Sequence, residues 1–565
     1  MTRERGRVGN GQGHGKSQKC TMKCVWTRHW PFMAAVGILC AVVAGVFALC
    51  VRMDGGRFVY AIDDIYIAMS VARNFAAHGV WGVTPYEFTS CESTILWPLL
   101  LASSYALGVT SELVPLLLNV IFAGGVLLVV YVLLKKCGLP QSYQAAALLV
   151  VIFLTPLPAM IFIGMEHTLQ IGCSLLFVYI VARELAGQGG GQAGASPWIW
   201  VLAVVMSLIR YEGLFLVFAA SVLFFARKRW VEAFGIGLLA AAPPVIYGAI
   251  SVRHGWYWLP NSVYLKANLP HAIGRWRILG LMGNRDGWSM SADVWMMGLA
   301  LLILLPLLVY RQKTLWQETT IMIVLVTITA GLHLRFARFG WFFRYEAYLV
   351  ALSLVVLVVG GFEYLSGRRG HTSNKAETVL AGGWLGWSLL SVVLVLGVRG
   401  YTSLCLIPRV SHNIYEQQYQ MGLFLRQFYR GAPIAATDIG AVSYLGEPHL
   451  EDLWGLGSLD SARQRVQGPL TPQQIETLTR PKGTQIAILF DAIFTDGPVG
   501  TGGLPPQWIQ VGRWKLNDNL ICTQDTVSFY AVESSEEKPL IAHLRDFAPR
   551  LPRGIEQTGK YMQRD

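Results

Sequence analysis

Two adjacent carboxylates, Asp63 and Asp64, open the segment AIDDIYIAMSVARNFAAHGVWG, shortly after a first long apolar run from Pro31 to Val51. At the mouth of a membrane span such a pair is costly to bury and useful when it takes a proton or binds a cation. Other chemically capable residues recur at the ends of later apolar runs. They are Glu166-His167, Arg210-Tyr211-Glu212, Asn261 and Lys266 in WYWLPNSVYLK, and the cluster Arg335, Arg338, Arg344 and Glu346. Glu166-His167 reads as a solvated loop or a substrate contact. Arg210 can pair with Glu212 or hold a phosphate. The arginines of 335–344 read as lipid-headgroup contacts or as a basic pocket for an anionic lipid phosphate. Trp256, Tyr257 and Trp258 suit an interfacial belt and can also stack on sugar rings.

The elements that must position these groups follow from periodicity. After Asp64, residues Ile65, Met69, Ala72 and Ala76 fall on one helical face, and Gly79 can end the helix. The acids therefore sit at the N-terminus of an amphipathic helix expected at the membrane surface. One of them can serve as its N-cap, which leaves the other for chemistry.

Of 565 residues, 53% are hydrophobic and 14% charged, with a mean hydropathy of +0.44. This excludes an ordinary soluble enzyme and a disordered chain and points to a polytopic membrane protein. The net charge of +12 lies largely in short loops beside apolar runs, where it sets orientation rather than binding nucleic acid. Residues 1–30 read as a basic, Gly-rich cytoplasmic tail without a fold of its own, followed by an uncleaved first span. Cys20 and Cys24 fit no standard zinc spacing. Cys405 and Cys522 both fall in the C-terminal part, where a disulfide is open to them if that part is exported.

Runs of span length lie near 31–51, 113–134, 142–162, 168–185, 233–251, 292–310, 319–334, 345–364 and 380–398. The stretch 198–226 reads as two short spans meeting at Arg210-Tyr211-Glu212, which makes about eleven crossings. The run 94–107 is too short to cross. With the tail inside, Lys135-Lys136, Arg183, Arg227-Lys228-Arg229, Arg311 with Lys313, and Arg368-Arg369 all fall inside. The candidate chemical residues all fall outside. The expected fold is thus an all-α polytopic bundle over 31–399, with a first external loop over 52–112. A small extracytoplasmic α/β domain is expected over 400–565, with strand-length runs PIAAT, QIAILF and VSFYAV and with Asp438, Glu451 and Asp452 on loops.

Residues 63–102 resemble the first external loop of membrane-embedded GT-C glycosyltransferases, in particular the branch containing the mycobacterial terminal arabinofuranosyltransferases. The matching residues are Asp63, Asp64, Tyr66, Ala72, Arg73, Asn74, Gly79, Leu96 and Trp97. Ile65 replaces the usual small residue, and Cys91-Glu92 departs from that branch. Further similar motifs follow in order: GMEHTL (164–169), RYEGLFL (210–216), LPNSVYLK (259–266), and ATDIGAVSYLG (436–446) with LEDLWGLGS (450–458).

The resemblance implies transfer of a sugar from a polyprenyl-phosphate donor to a cell-envelope glycan, lipid or protein acceptor outside the cytoplasm, in a bacterial plasma membrane. A single displacement then needs a base for the acceptor hydroxyl and cations for the departing phosphate. Asp63 is the first choice of base, with Asp64 as the alternative. Arg210, Lys266, Arg338 and Arg344 are the expected phosphate ligands, and Glu166, Glu212, Asn261 and Asp438 complete the substrate-binding set. No nucleotide-binding glycine motif is evident, and a lipid-phosphate donor requires none. A divalent cation, Mg²⁺ or Mn²⁺, could bridge acid and phosphate, but the sequence shows no defined ligand set. A transporter of lipid-linked sugars is the competing reading, and a non-enzymatic glycan-binding assembly partner a third.

Overall fold

The computed structural model describes residues 14–187, 196–266, 292–366, 375–495 and 497–563. The side chains of Cys20, Cys24 and Lys266, and the pair Arg368-Arg369, lie outside the described residues. The chain forms a helical membrane bundle followed by a C-terminal domain built on a mixed six-stranded sheet.

Among the described residues, eight helices are long and apolar enough to cross a membrane. A ninth span is the pair α5 (Gln141–Leu154) and α6 (Leu157–Ile163), bent by 42° at a short break. The two halves of 198–226 are α8 (Pro197–Ile209) and α9 (Gly213–Ala226), each shorter than a full span and separated at Arg210. The expected short helix is α3 (Leu96–Ala106). The first span belongs to α1 (His14–Met53), so the helix begins within the region read as an unfolded tail.

The bundle separates its charges by end. α7 (His167–Ala186) has Glu166 at its start and Glu184 near its finish. Arg229, just before α10 (Trp230–Arg253), pairs with Glu184 at 3.2 Å and Glu232 at 2.6 Å. Arg227 lies over the Trp316 ring at 4.5 Å. These basic groups gather at the end opposite to Arg210.

The sheet runs β2-β1-β3-β5-β4-β6. β1 (Pro433–Ala436), β2 (His449–Asp452) and β3 (Ile486–Leu489) are parallel, while β4 (Ile509–Leu516), β5 (Thr526–Ala531) and β6 (Ile555–Gly559) pair antiparallel. β1, β3 and β5 are the three strand-length runs read in the sequence. The expected boundary at 400 falls inside a helix: Lys375–Ile414 continues through a π-helical turn, Tyr415–Tyr419, into Gln420–Phe428. Cys405 faces outward on that helix, and Cys522 is buried and donates to Gln418 at 3.3 Å, so both are free thiols and the disulfide does not form.

The helix carrying the acids, α2 (Asp64–His78), ends at Gly79 with φ of 70°, as its sequence requires. It is not a surface helix. Ile65, Tyr66, Ala68, Met69 and Ala72 join the bundle core, whereas Ile67 and Val71 join the core of the sheet domain. α2 also packs against the short helix Gly440–Gly446 of the sheet domain. Arg73 makes this contact specific, with Nη1 donating to the Tyr444 carbonyl at 2.8 Å and pairing with Glu447 at 3.0 Å.

Asp63 precedes α2 but makes no side-chain cap on it. Its carboxylate instead accepts from the backbone N–H groups of Gly440 at 2.9 Å and Ala441 at 2.8 Å. Only a glycine permits this approach, since a Cβ at 440 would lie 2.2 Å from the Asp63 carbonyl oxygen and 2.3 Å from Oδ2. Gly440→Ala is therefore expected to lower stability by about 1–3 kcal/mol, the usual cost of overpacking. Thermal unfolding of the detergent-solubilised protein checks this, and an unchanged midpoint would contradict the described contact.

Candidate functional site

The ends of α2, α8 and α9, the segment between Glu318–Phe336 and Ala347–Ser366, and the edge of the sheet domain converge on two adjoining cavities. The first, about 300 Å³, is lined by Arg210, Glu212, Phe215, Glu92, Phe336 and Leu259 among others. The second, about 600 Å³, is lined by Asp63, Gln418, Asp438, Trp341, Trp454 and Asn519 among others. Asp64, Ile67, Arg338, Arg344, Tyr345 and Leu456 line both. Asp64 thus stands in the wall between them, and Asp63 reaches only the second.

The two acids have different surroundings. Both oxygens of Asp63 are taken up by backbone donors. Burial, and then the nearby charge of Asp438, raises its pKa well above the usual carboxylate range although those donors oppose the shift. Asp64 is ion-paired with Arg344 and its side chain keeps 27% exposure. Arg344 is otherwise enclosed, contacting the Tyr345 hydroxyl at 3.0 Å and the Met165 sulfur at 3.0 Å. Asp438 accepts from Gln418 at 2.7 Å.

Arg210 sits between two acids. It meets Glu166 at 2.6 Å and Glu212 at 2.9 Å, with a second bond to Glu212 at 3.2 Å. Glu166 starts α7, and Arg210-Glu212 is the break between α8 and α9, so the triad ties three elements together at one end of the bundle. Its formal charge is negative, which opposes an incoming phosphate. Glu166 is buried and is not among the cavity-lining residues.

Arg338 differs from all of these. It is exposed and lines both cavities, and among the described residues no carboxylate lies within ion-pair distance of it. It is fixed from below, where its carbonyl contacts His333 Nε2 at 3.2 Å.

The residues that follow adopt a rare backbone. Gly340, Trp341, Phe342 and Phe343 have φ of 80°, 46°, 60° and 63°, a left-handed turn in which three members are bulky aromatics. Buried Glu346 accepts from the Gly340 N–H at 3.1 Å, and Arg399 donates to the Phe343 carbonyl at 2.8 Å. Glu346 and Arg399 lie 2.9 Å apart. Burial pushes Glu346 up to about 7, although the backbone donors at Gly340 and Glu346 favour its charged form.

Asn261 begins the short helix α11 (Asn261–Lys266) and is buried. Its N–H donates to the Ser90 carbonyl at 2.7 Å and its side chain donates to the Gly455 carbonyl at 2.7 Å, linking the first external loop to the sheet domain. It supports the site without lining it. Asp452 holds the loop after β2 by accepting from Trp454 and Gly457, both at 2.8 Å, which delivers Trp454 and Leu456 to the cavities. Its pKa is raised by burial to about 6.

Sequence reasoning missed Glu92, Trp341, Gln418, Trp454 and Asn519. Trp454 lies inside a quoted motif and Trp341 inside the basic-aromatic segment, so both were within reach. Gln418 and Asn519 carry no local signal. Among the described residues, no group of three or more His, Cys, Asp or Glu could hold a metal ion. Asp63 and Asp64, the acids that would bridge a cation to phosphate, are engaged by backbone donors and by Arg344.

Residues 412–530 match a family model described as a domain of unknown function, DUF8728. No curated protein sequence matches the chain. Among solved structures, the chain is similar to ArnT from Cupriavidus metallidurans bound to undecaprenyl phosphate, at 12% identity and a TM-score of 0.46, over 89% of this chain and 98% of that one. It is also similar to the apo oligosaccharyltransferase of Archaeoglobus fulgidus, at 11% identity and a TM-score of 0.45, over 88% and 74%. The oligosaccharyltransferase AglB of the same organism, in complex with an inhibitory peptide and a dolichol-phosphate, gives 11% and 0.44 over 83% and 70%.

Proposed function

We propose that this protein is a membrane glycosyltransferase that moves a sugar from a polyprenyl-phosphate donor to an acceptor outside the cytoplasm. The observation that carries this reading is the position of Asp64 in the wall shared by two cavities. A single displacement needs one carboxylate in reach of both substrates. The donor occupies the first cavity. From it an apolar groove of about 910 Å³ leads away between α9 and α10, sharing Leu214 with the cavity and suiting a lipid chain. The acceptor enters the second cavity, under the sheet domain.

In this mechanism the acceptor hydroxyl oxygen attacks the anomeric carbon. Its proton passes to Asp64. The bond from the anomeric carbon to the phosphate oxygen breaks, and polyprenyl phosphate leaves with the electron pair. Arg338 meets the phosphate because no carboxylate competes for it. Arg344 exchanges from Asp64 to the phosphate as the donor arrives, which frees Asp64 to act as base. Arg210 is a clamp rather than a phosphate ligand, because Glu166 and Glu212 already satisfy it. The base is thereby Asp64 rather than Asp63, whose two oxygens hold the sheet domain in place. A transporter would instead place its charge near the midplane, open to both faces.

The site faces the outside of a bacterial plasma membrane, because the basic loops gather at the opposite end. Reporter fusions at Arg229 and at Asp460 are expected to give opposite readings, and matching readings would overturn this orientation. Donor binding and turnover in reconstituted protein test the assignments. Asp64→Asn should cut turnover by about 10²–10⁴-fold while still binding donor, and Asp63→Asn should cost mainly stability. Arg338→Ala should weaken donor binding. Arg210→Ala should lower stability by about 3–5 kcal/mol, because it strands buried acids. Wild-type turnover by Asp64→Asn, or a selective loss in Asp63→Asn with the fold intact, would return the base to Asp63 or remove it from both.

A further inference from the structure

We propose that the acceptor is a carbohydrate, seated in the second cavity against the indoles of Trp341 and Trp454. This rests on the reading that the second cavity takes the acceptor, and it narrows that acceptor to one chemical class.

The cavity combines two kinds of wall. One is aromatic: Trp341, 46% exposed despite its size, and the half-buried Trp454 both line it. Arg465 lies 5.4 Å over the Trp454 ring and donates to its backbone carbonyl, which fixes that indole in place. The other wall sets the polar groups of Gln418, Thr437, Asp438, Asn519 and Thr523 among the apolar Ile414, Ile439, Leu520 and Ile521. Amides and hydroxyls both donate and accept, and a carboxylate accepts strongly. A sugar ring presents the matching pattern, with an apolar C–H face for an indole and a rim of hydroxyls that donate and accept. An extended peptide would need a run of backbone partners. The strand nearest the cavity, β1, is already paired on both sides by β2 and β3.

Trp341 carries a second indication. In the left-handed conformation a Cβ crowds the following carbonyl oxygen, and three aromatics in succession hold it here. Such strain persists where surrounding contacts over-determine it, and it gathers at functional sites. Glu346 and Arg399 supply those contacts, and their effect is to present Trp341 to the cavity between Arg338 and Arg344. A purely structural aromatic at this position would be replaced at a profit by glycine, which takes the same φ without strain.

The test uses full-length protein in detergent micelles. The probes are short, labelled oligosaccharides of neutral pentoses and of neutral hexoses, a capped peptide containing Asn, Ser and Thr, and a glycan-free phospholipid in detergent. At least one oligosaccharide is expected to bind. Trp454→Ala should weaken it about 3- to 10-fold, the range of a single aromatic contact. Trp341→Gly should weaken it similarly while leaving thermal stability unchanged or higher, an outcome no structural role for Trp341 would give. Trp341→Phe should keep most of the affinity. Failure of every oligosaccharide to bind, or equal affinity in the wild type, Trp341→Gly and Trp454→Ala, would overturn the proposal, as would selective binding of the peptide or the phospholipid. Wild-type binding of a polyprenyl-phosphate sugar, measured in parallel, separates the two claims. If the donor binds and no oligosaccharide does, the glycosyltransferase reading stands and this inference falls. If the donor does not bind, the broader reading falls first.

Discussion

The organisation of this protein depends on a carboxylate held against bare backbone. Asp63 accepts two N–H groups at the start of the helix Gly440–Gly446, at a distance that no side chain on residue 440 would allow. Hydrogen bonds to a charged partner contribute about 1.5–3 kcal/mol, a modest amount beside the two apolar cores that meet here. Beyond that contribution to stability, it sets register. It fixes α2 between the bundle and the sheet domain, so that Ile65 and Met69 serve one core and Ile67 and Val71 the other. The next residue, Asp64, is thereby left in the wall between two cavities. An acid that spans a boundary can act on substrates arriving from both sides, which an acid in either cavity alone could not do.

The arginines divide their work by what already neutralises them. Arg210 meets two acids and binds three elements together. Arg399 meets Glu346 and holds a strained turn. Arg344 meets Asp64 and can trade that partner for another anion. Arg338 alone among these four has no acid beside it within the described residues. In the proposed mechanism a phosphate entering the first cavity meets Arg338, which has no carboxylate beside it among the described residues, and Arg344, which can exchange its partner, while the clamp at Arg210 stays closed. Removing a clamp and removing a ligand then have different signatures, one in stability and one in affinity.

Much of this was legible from residue types and spacing. The long apolar runs returned as helices, and the break at Arg210 returned as the junction of α8 and α9, because uninterrupted apolar length and its interruption are local properties. Gly79 ended α2 for the same reason. Of the one-sided charged set, Asp63, Asp64, Arg210, Glu212, Arg338 and Arg344 line the two cavities, whereas Glu166 and Asn261 do not and the Lys266 side chain lies outside the described residues. What failed required three dimensions. That Asp63 caps a helix nearly four hundred residues away cannot be read from its neighbours. That α2 is covered rather than surface-lying depends on the sheet domain, whose last strands had no clear apolar run. The last span runs on past the expected boundary at 400, through a π-helical turn whose polar residues, Gln417 and Gln418, are buried.

In the proposed mechanism Asp64 faces the reacting carbon from the wall between donor and acceptor. The most direct measurement is a cryo-electron microscopy structure of the protein in nanodiscs with a non-hydrolysable polyprenyl-phosphonate sugar. The account predicts the phosphonate against Arg338 and Arg344, the lipid chain in the groove between α9 and α10, and the anomeric carbon turned toward Asp64 with Asp63 still bound to Gly440 and Ala441. A phosphonate bound at Arg210 with its acids displaced, or a sugar whose anomeric carbon faces Asp63 and not Asp64, would contradict it.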